Sequence, residues 1–360
     1  MLPLIDLKKT DHVIWLQTAF LGDLVLTTAA MQLLKESFPK VKQFAVSTSL
    51  GKKVFSYSEA IESTFVLEKK RGKGLSSFFD IKRALQSAGC KQDKTLILQP
   101  HRSFRSSFLA KFLRYPTVSY HQSNLAWLAE LKVERVAVLH EAARIGLLLE
   151  PMGVAREKII AAMPRLRSLP LDQNVSWHRD LLSKKGPVIA VAPGSVWGTK
   201  KWPLSYFTEL IKRLLVEQSN PKPFRLLLLG SVHEKLLTDQ IVAQLPKNDV
   251  VLNLAGETSL DDLNRIYPHL DLLISNDSSP IHYGSAFDVP TVALFGATIP
   301  EMGFGPLASG SKTLGVEGLP CRPCSDHGPQ HCPLSHFKCM RDLTVDSVFA
   351  EVSAQLQKWS

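Results

Sequence analysis

The sequence predicts an α/β protein built from two Rossmann-like parallel-sheet domains. Three observations carry this. At 360 residues the chain exceeds one ordinary core, so two domains of comparable mass are expected. Short apolar and β-branched runs alternate with amphipathic stretches of helical length along most of it. The rhythm weakens between Pro151 and Asn174, where prolines stand at 151, 164 and 170, and then restarts. The expected division is an N-terminal domain over 1–170, a C-terminal domain over 171–342 and a closing amphipathic helix in 343–360.

In the first domain, His12–Leu16 reads as a buried strand and Leu24–Phe38 as the helix after it. Strands follow at Gln43–Ser47, Ser63–Leu67 and Thr95–Leu98, with helices at Leu75–Ala88 and Arg105–Leu113. In the second, strands are expected at Val188–Ala192, Arg225–Leu229, Val250–Leu252, Leu272–Ser275 and Thr291–Phe295. Helices between them fall at Leu204–Glu217, Glu234–Leu245, Leu260–Tyr267 and Ile281–Phe287, and Val345–Trp359 closes the chain. This order implies parallel sheets with right-handed crossovers and ligands at the carboxyl ends of the strands.

Composition excludes several classes. Hydrophobic residues are 45% and charged residues 21%, as in a globular protein. No apolar run reaches the roughly 20 residues that span a bilayer, and Met1–Asp11 lacks the apolar stretch of a signal peptide. A cytoplasmic protein is expected. The net charge of +10 is uneven: residues 1–170 hold 26 Lys and Arg against 14 Asp and Glu, and the remainder 17 against 19. The first half is therefore suited to meeting an anionic partner. No nucleic-acid recognition motif accompanies the charge, and no G-x-G-x-x-G follows the first strand, which argues against a nicotinamide dehydrogenase.

Three loops after strands carry the candidate chemistry. The first, Thr18–Asp23, places a carboxylate where a helix starts. Asp23 is either a helix cap or, ionised at its ordinary pKa of about 3.9, a base for a hydroxyl proton. The second, Pro193–Pro203, offers Gly194, Gly198, Ser195, Thr199, Lys200 and Lys201, the hydroxyls, backbone N–H groups and cations a phosphate needs, without Walker spacing. The third, Ser275–His282, brings small polar residues to a helix start, where N–H groups and the helix dipole favour a diphosphate. His282 lies one turn into that helix.

Together the loops resemble those of the lipopolysaccharide heptosyltransferases, glycosyltransferase family 9. The pieces are Gly22–Thr28, Pro193-Gly194 through Lys200-Lys201-Trp202-Pro203, Asn276-Asp277-Ser278 through His282, and Val292–Gly296, in the family's order. The Lys-x-Trp-Pro segment is similar to that of the members that add the second inner-core heptose. The resemblance implies a GT-B architecture, with the two domains facing across a cleft. It also implies inverting transfer from ADP-heptose to a Kdo/heptose–lipid A acceptor, by a monomer peripheral to the inner face of the inner membrane. It makes Asp23 the base and gives the donor Ser195, Lys200, Glu234, Thr258, Asp277, Ser278, Ser279 and His282. This chain has Ser279 and Pro280 where a glycine and a variable residue are usual. No cofactor is implied, although Mg²⁺ could accompany the diphosphate.

The basic excess of the N-terminal half points to His101, Arg102 and Arg105 as acceptor contacts, since guanidinium forks match phosphate and carboxylate, with Lys69–Lys73 as a second cluster. Cys321, Cys324, Cys332 and Cys339 read as free thiols or as a structural metal site. The competing function classes are a transferase of the same fold with another sugar or acceptor, and a nucleotide- or metal-binding regulator.

Overall fold

The computed structural model describes residues 9–68, 74–182, 186–217 and 224–357. The chain divides into two compact units, residues 1–167 and 168–360.

The first unit runs β1 (His12–Leu16), α1 (Leu21–Ser37), β2 (Lys42–Ser47), α2 (Ser49–Phe55), β3 (Ser63–Val66), α3 (Gly74–Ser87), β4 (Thr95–Leu98), α4 (Phe104–Leu113), β5 (Thr117–Tyr120), β6 (Leu131–Val133), α5 (Glu141–Gly146) and α6 (Arg156–Ala161). Its six strands are parallel in the order β3-β2-β1-β4-β5-β6. From Val13 to Leu16 β1 is apolar and buried, because helices cover both faces of such a sheet. Ile14 sits beside Phe44 on one side and Ile97 on the other, and these form a core with Leu16, Val46, Leu109 and Leu113. On the other face Trp15 Nε1 donates to Gln43 Oε1 at 2.8 Å, and Gln43 Nε2 donates to the Met31 carbonyl at 2.9 Å. A buried polar pair is thereby satisfied.

The second unit runs α7 (Ser176–Leu182), β7 (Val188–Ala192), α8 (Leu204–Glu217), β8 (Arg225–Leu228), α9 (Lys235–Val242), β9 (Val251–Asn253), α10 (Leu260–Ile266), β10 (Leu272–Asn276), α11 (Ser279–Ala286), β11 (Thr291–Phe295), β12 (Lys312–Gly315), α12 (Lys338–Arg341) and α13 (Val345–Leu356). Its sheet, β12-β11-β10-β7-β8-β9, repeats the arrangement of the first. The closing helix packs on this unit: Arg213 of α8 lies over the Phe349 ring at 4.3 Å and pairs with Asp346 at 2.5 Å. Trp202 Nε1 donates to the Leu343 carbonyl at 2.8 Å.

In each unit the first strand lies between two neighbours whose connections leave in opposite directions, at β1/β4 and at β7/β10. Crevices outside such switch points are where doubly wound sheets hold ligands.

The fold corrects the sequence reading in places. α1 begins at Leu21 with Phe20 as its cap, so Asp23 is the third helical residue and not the N-cap. The stretch between Pro151 and Asn174, where the sequence rhythm weakens, is partly structured, by the end of a 3-10 stretch at Leu147–Met152 and by α6, and both belong to the first unit. The elements that periodicity missed are α2, β5, β6, α5, α6, α7, β12 and α12, all three to seven residues long and too short for a repeat to show. Lys69–Lys73 and the last two residues of the expected closing helix Val345–Trp359 lie outside the described residues.

Candidate active site

In the first unit the β1/β4 switch point carries Asp23 and His101. Asp23 lies in the first turn of α1, half-buried. Burial pushes its carboxyl up to about 7, and the nearby Glu141 carboxylate adds to the rise. Hydrogen bonds from the Phe20 and Asp23 backbone and the charge of Arg135 act against it. Asp23 is thus not the fully ionised acid that its ordinary value implies; it titrates in the neutral range. Glu141, at the start of α5, is itself buried and clamped by Arg135 and, at 3.1 Å, by Arg144. Arg144 also donates to the carbonyls of Val136, at 3.2 Å, and Ala137. These three residues carried no sequence signal.

His101 follows β4. Its Nδ1 lies 2.7 Å from Thr18 Oγ1 and 3.2 Å from Ser106 Oγ, which ties the loop after β1 to the start of α4. Arg102 is exposed. Arg105 is committed to the Glu68 carbonyl at 2.6 Å. Of the three expected acceptor contacts, Arg102 is the exposed guanidinium.

In the second unit the β7/β10 switch point gathers Ser195, Lys200, Asp277 and Ser278. Lys200 Nζ pairs with Asp277 Oδ2 at 2.6 Å, both side chains being largely buried, and Thr298 Oγ1 donates to the same oxygen at 2.6 Å. Asn276 ties the two loops together: its Oδ1 accepts the Trp202 N–H at 3.0 Å, and its Nδ2 donates to the Pro193 carbonyl at 2.8 Å. Trp202 is buried edge-on against Phe207 at 4.9 Å. The Trp-Pro segment therefore anchors the loop structurally.

Ser195 is buried and its Oγ accepts the Trp197 N–H at 3.4 Å. Ser278 is the N-cap of α11 but makes no side-chain cap bond; its hydroxyl reaches the Gly194 carbonyl at 3.5 Å. Ser279 opens α11, and His282 is buried one turn in, 6.2 Å from the Phe304 ring.

Glu234 accepts from Ser231 N–H at 2.7 Å and Oγ at 2.9 Å, and its carboxylate covers Gly194, where a Cβ would stand 1.6 Å from Oε1. Gly194 is required for that approach. Thr258, after β9, donates to the Leu254 carbonyl at 3.4 Å. Asn276 and Thr298 were missed as site residues, the first although its motif was legible.

The cysteine loop packs beneath the Lys200 loop. Thr199 Oγ1 donates to the Pro329 carbonyl at 2.5 Å, Gly198 N–H to Gln330 Oε1 at 3.0 Å, and Trp197 stacks near His327 at 6.1 Å. Arg322 fixes the loop to β11 through the carbonyls of Phe295 at 3.1 Å and Thr298 at 2.8 Å, and also donates to Val316. All five cysteines are free thiols. Among the described residues no group of three or more His, Cys, Asp or Glu is placed to hold a metal. A cavity of about 490 Å³ opens two strands away, lined by Ile299, Glu301, Gly315, Glu317 and Arg322.

Two Rossmann-like units, each with its candidate residues at the switch point of its sheet, define a two-domain α/β protein of the GT-B class. The chain belongs to glycosyltransferase family 9 (heptosyltransferase), whose family model matches residues 83–333. It is 30% identical over 200 residues to lipooligosaccharide heptosyltransferase 2 of Campylobacter jejuni, covering 54% of this chain and 60% of that relative. Its fold is shared with the ADP-heptose lipopolysaccharide heptosyltransferase II of Escherichia coli, at TM-score 0.76 and 19% identity over 96% of this chain and 99% of that one. A family 9 glycosyltransferase of Veillonella parvula shares it at TM-score 0.79 and 19% identity, over 97% and 98%. The iron-containing dodecameric glycosyltransferase TibC of enterotoxigenic E. coli aligns at TM-score 0.62 and 15% identity, over 100% of this chain and 78% of that one.

Proposed function

We propose that this chain transfers heptose from ADP-heptose to the Kdo/heptose–lipid A inner core of lipopolysaccharide, at the inner face of the inner membrane. The observation that carries this reading is the placement of Asp23 at one switch point and the Lys200–Asp277 pair at the other, in a member of family 9. The names of the relatives supply the substrate class. Among the described residues no helix is long and apolar enough to cross a membrane.

In this mechanism ionised Asp23 takes the proton of an acceptor hydroxyl as its oxygen attacks the anomeric carbon. The bond from that carbon to the ADP oxygen breaks and configuration inverts in a single displacement. The carbon gains positive charge on the way. The departing diphosphate is met by Lys200 and the N-terminus of α11, which stabilise its growing charge. Ser195 and Ser278 hold the phosphate oxygens, Glu234 and Thr258 serve the adenosine side, and Ser279 and His282 line the site. Lys200 supplies the cationic charge, so the scheme requires no metal, and Mg²⁺ enters only as a companion of the diphosphate.

The test is incubation of the purified protein with ADP-heptose and a heptose-deficient core acceptor, read by mass spectrometry. A gain of one heptose is expected. Transfer of a different sugar, or none with an intact fold, overturns the assignment of donor or acceptor.

A further inference from the structure

The N-terminal unit exposes an aromatic surface that the transfer chemistry does not use. On α4, Phe104, Phe108 and Lys111 recur at i, i+4 and i+7 and all face outward, Phe104 being 62% and Phe108 48% exposed. α3 packs beside α4 and adds Phe79, 55% exposed. The rings are continuous: Phe79 meets Phe112 edge-on at 4.9 Å, and Phe78 bridges Phe112 at 5.6 Å and Phe108 at 6.2 Å. Lys82 Nζ stands 5.7 Å over the Phe112 ring. A short 3-10 turn, Ala126–Leu128, packs on α4 and carries Trp127, 75% exposed.

Large aromatics left in water over two adjacent helices are not explained by packing within the unit. Their surroundings are basic. Together α3 and α4, with the capping Arg114, carry Lys82, Arg83, Arg105, Lys111 and Arg114 against Asp80 alone. Outward aromatics interleaved with Lys and Arg are the composition of interfacial membrane surfaces: the rings enter the headgroup region and the cations meet anionic lipid. A nucleic acid would use the charge but leave the phenylalanines of helix backs unstacked; a protein partner would be expected to bring its own complementary apolar face.

We propose that the exposed face of α3 and α4 is a docking surface for an anionic phospholipid bilayer, with Phe79, Phe104 and Phe108 as the inserting side chains and Lys82, Arg83 and Lys111 as the headgroup contacts. The surface is continuous with the candidate acceptor residues, because Arg102 lies just before α4 and Arg105 in its first turn. Docking by this face brings the loop after β4 to the lipid surface that bears an inner-core acceptor. The inference rests on the lipid-linked acceptor reading for its purpose, and on the surface itself for its existence.

Flotation of the full chain with vesicles of phosphatidylglycerol and phosphatidylethanolamine tests it, with phosphatidylcholine vesicles alongside. Binding to the anionic vesicles is expected to exceed binding to phosphatidylcholine by at least about tenfold. F79S/F108S and, separately, R83E/K111E are each expected to lower it by about tenfold or more. Thermal melting confirms that each variant is folded; if the serine variant does not fold, the charge-reversal variant decides. Transfer to a delipidated, soluble core acceptor by the folded variants is expected to match the parent, so a failed transferase reading would appear in that assay and a failed docking reading only with vesicles. Equal flotation of parent and variants, or equal binding to both lipid mixtures, overturns the proposal. So does a parent that sediments as a dimer, becomes monomeric in F79S/F108S and fails to bind vesicles, since the face would then be a contact between copies.

Discussion

Lys200 Nζ and Asp277 Oδ2 lie 2.6 Å apart, a largely buried pair that joins the loop after β7 to the end of β10. The pair does two jobs in the proposed scheme. It keeps a cation where the diphosphate arrives, and it compensates a buried carboxylate that otherwise has Thr298 as its hydrogen-bond donor.

Replacing Lys200 by alanine should therefore have two separable effects. ADP affinity should drop by about tenfold or more, equivalent to about 1.4 kcal/mol, and kcat should fall with it because the lost charge acts more strongly on the departing diphosphate. Stability should also fall, by about 3 kcal/mol, since Asp277 is left unpaired. Adding D277N to K200A should restore melting and leave ADP binding weak, as read by calorimetry. K201A should change little. If K201A matched K200A in both assays, the cation would be misassigned.

The titration of Asp23 near 7 has a definite sign. A base must be ionised, so kcat/KM should rise as pH passes upward through about 7 and level off above it. D23N should lower kcat by about 10² to 10⁴ while ADP affinity stays near the parent's. E141Q removes a negative neighbour, a smaller cause than burial, and should move the rising limb partway toward lower pH. A pH profile unaltered in E141Q would show that Glu141 does not act on the base.

The same shift predicts a stability effect. The folded chain holds the Asp23 proton more tightly than the unfolded chain does, so ionisation of this group costs stability progressively as pH rises from about 4 to about 7. D23N lacks that cost. Its melting temperature should match the parent's near pH 4, rise above it through the interval and keep a constant lead beyond pH 7. A catalytic base held in an unfavourable site commonly behaves this way. A parent as stable as D23N at pH 8 would place the true pKa near its ordinary value.

What the sequence made legible follows from where the chemistry sits. Asp23, Lys200 and Asp277 could be found because each falls just after a strand whose apolar run is unmistakable, and the same strand order occurs twice. Glu141, Arg135 and Arg144 could not: they come from a loop and a six-residue helix far along the chain, and only folding brings them beside Asp23. Asn276 was visible as a letter in a motif, but its bridging of Pro193 and Trp202 depends on β7 and β10 being neighbours. β6 and β12 are missed for a local reason, since both are short sheet edges: Leu131–Val133 has three residues, too few for an alternation to show, and Lys312–Gly315 has a single large apolar residue, Leu314.

Metal removal is a direct check on the electrostatic scheme. With Lys200 and the α11 N-terminus meeting the diphosphate, prolonged treatment with a chelator should leave kcat within about twofold, well under 1 kcal/mol of barrier. Loss of activity restored by Mg²⁺ would move the metal from companion to participant. Loss restored by iron or zinc alone would instead point to Cys321, Cys324, Cys332 and Cys339, whose loop supports Thr199 and Gly198.

The positive charge of the chain is concentrated in residues 1–170. Arg102 is exposed at the end of β4, whereas Arg105 already donates to the Glu68 carbonyl at 2.6 Å. If the basic half recognises an anionic acceptor, R102E should raise the acceptor KM about tenfold or more, while R105E should do so less and should also loosen the loop at Glu68. Neither should alter ADP affinity, because the candidate donor residues belong to the other unit. Added salt should weaken acceptor binding in the parent more than in R102E, since exposed charges are screened over a Debye length of about 8 Å at physiological ionic strength. Steady-state kinetics with a soluble core acceptor at two salt concentrations reads all of this. An R102E variant with the parent's acceptor KM and the parent's salt dependence would make Arg102 a solvated bystander and leave acceptor recognition to other cations of the first unit.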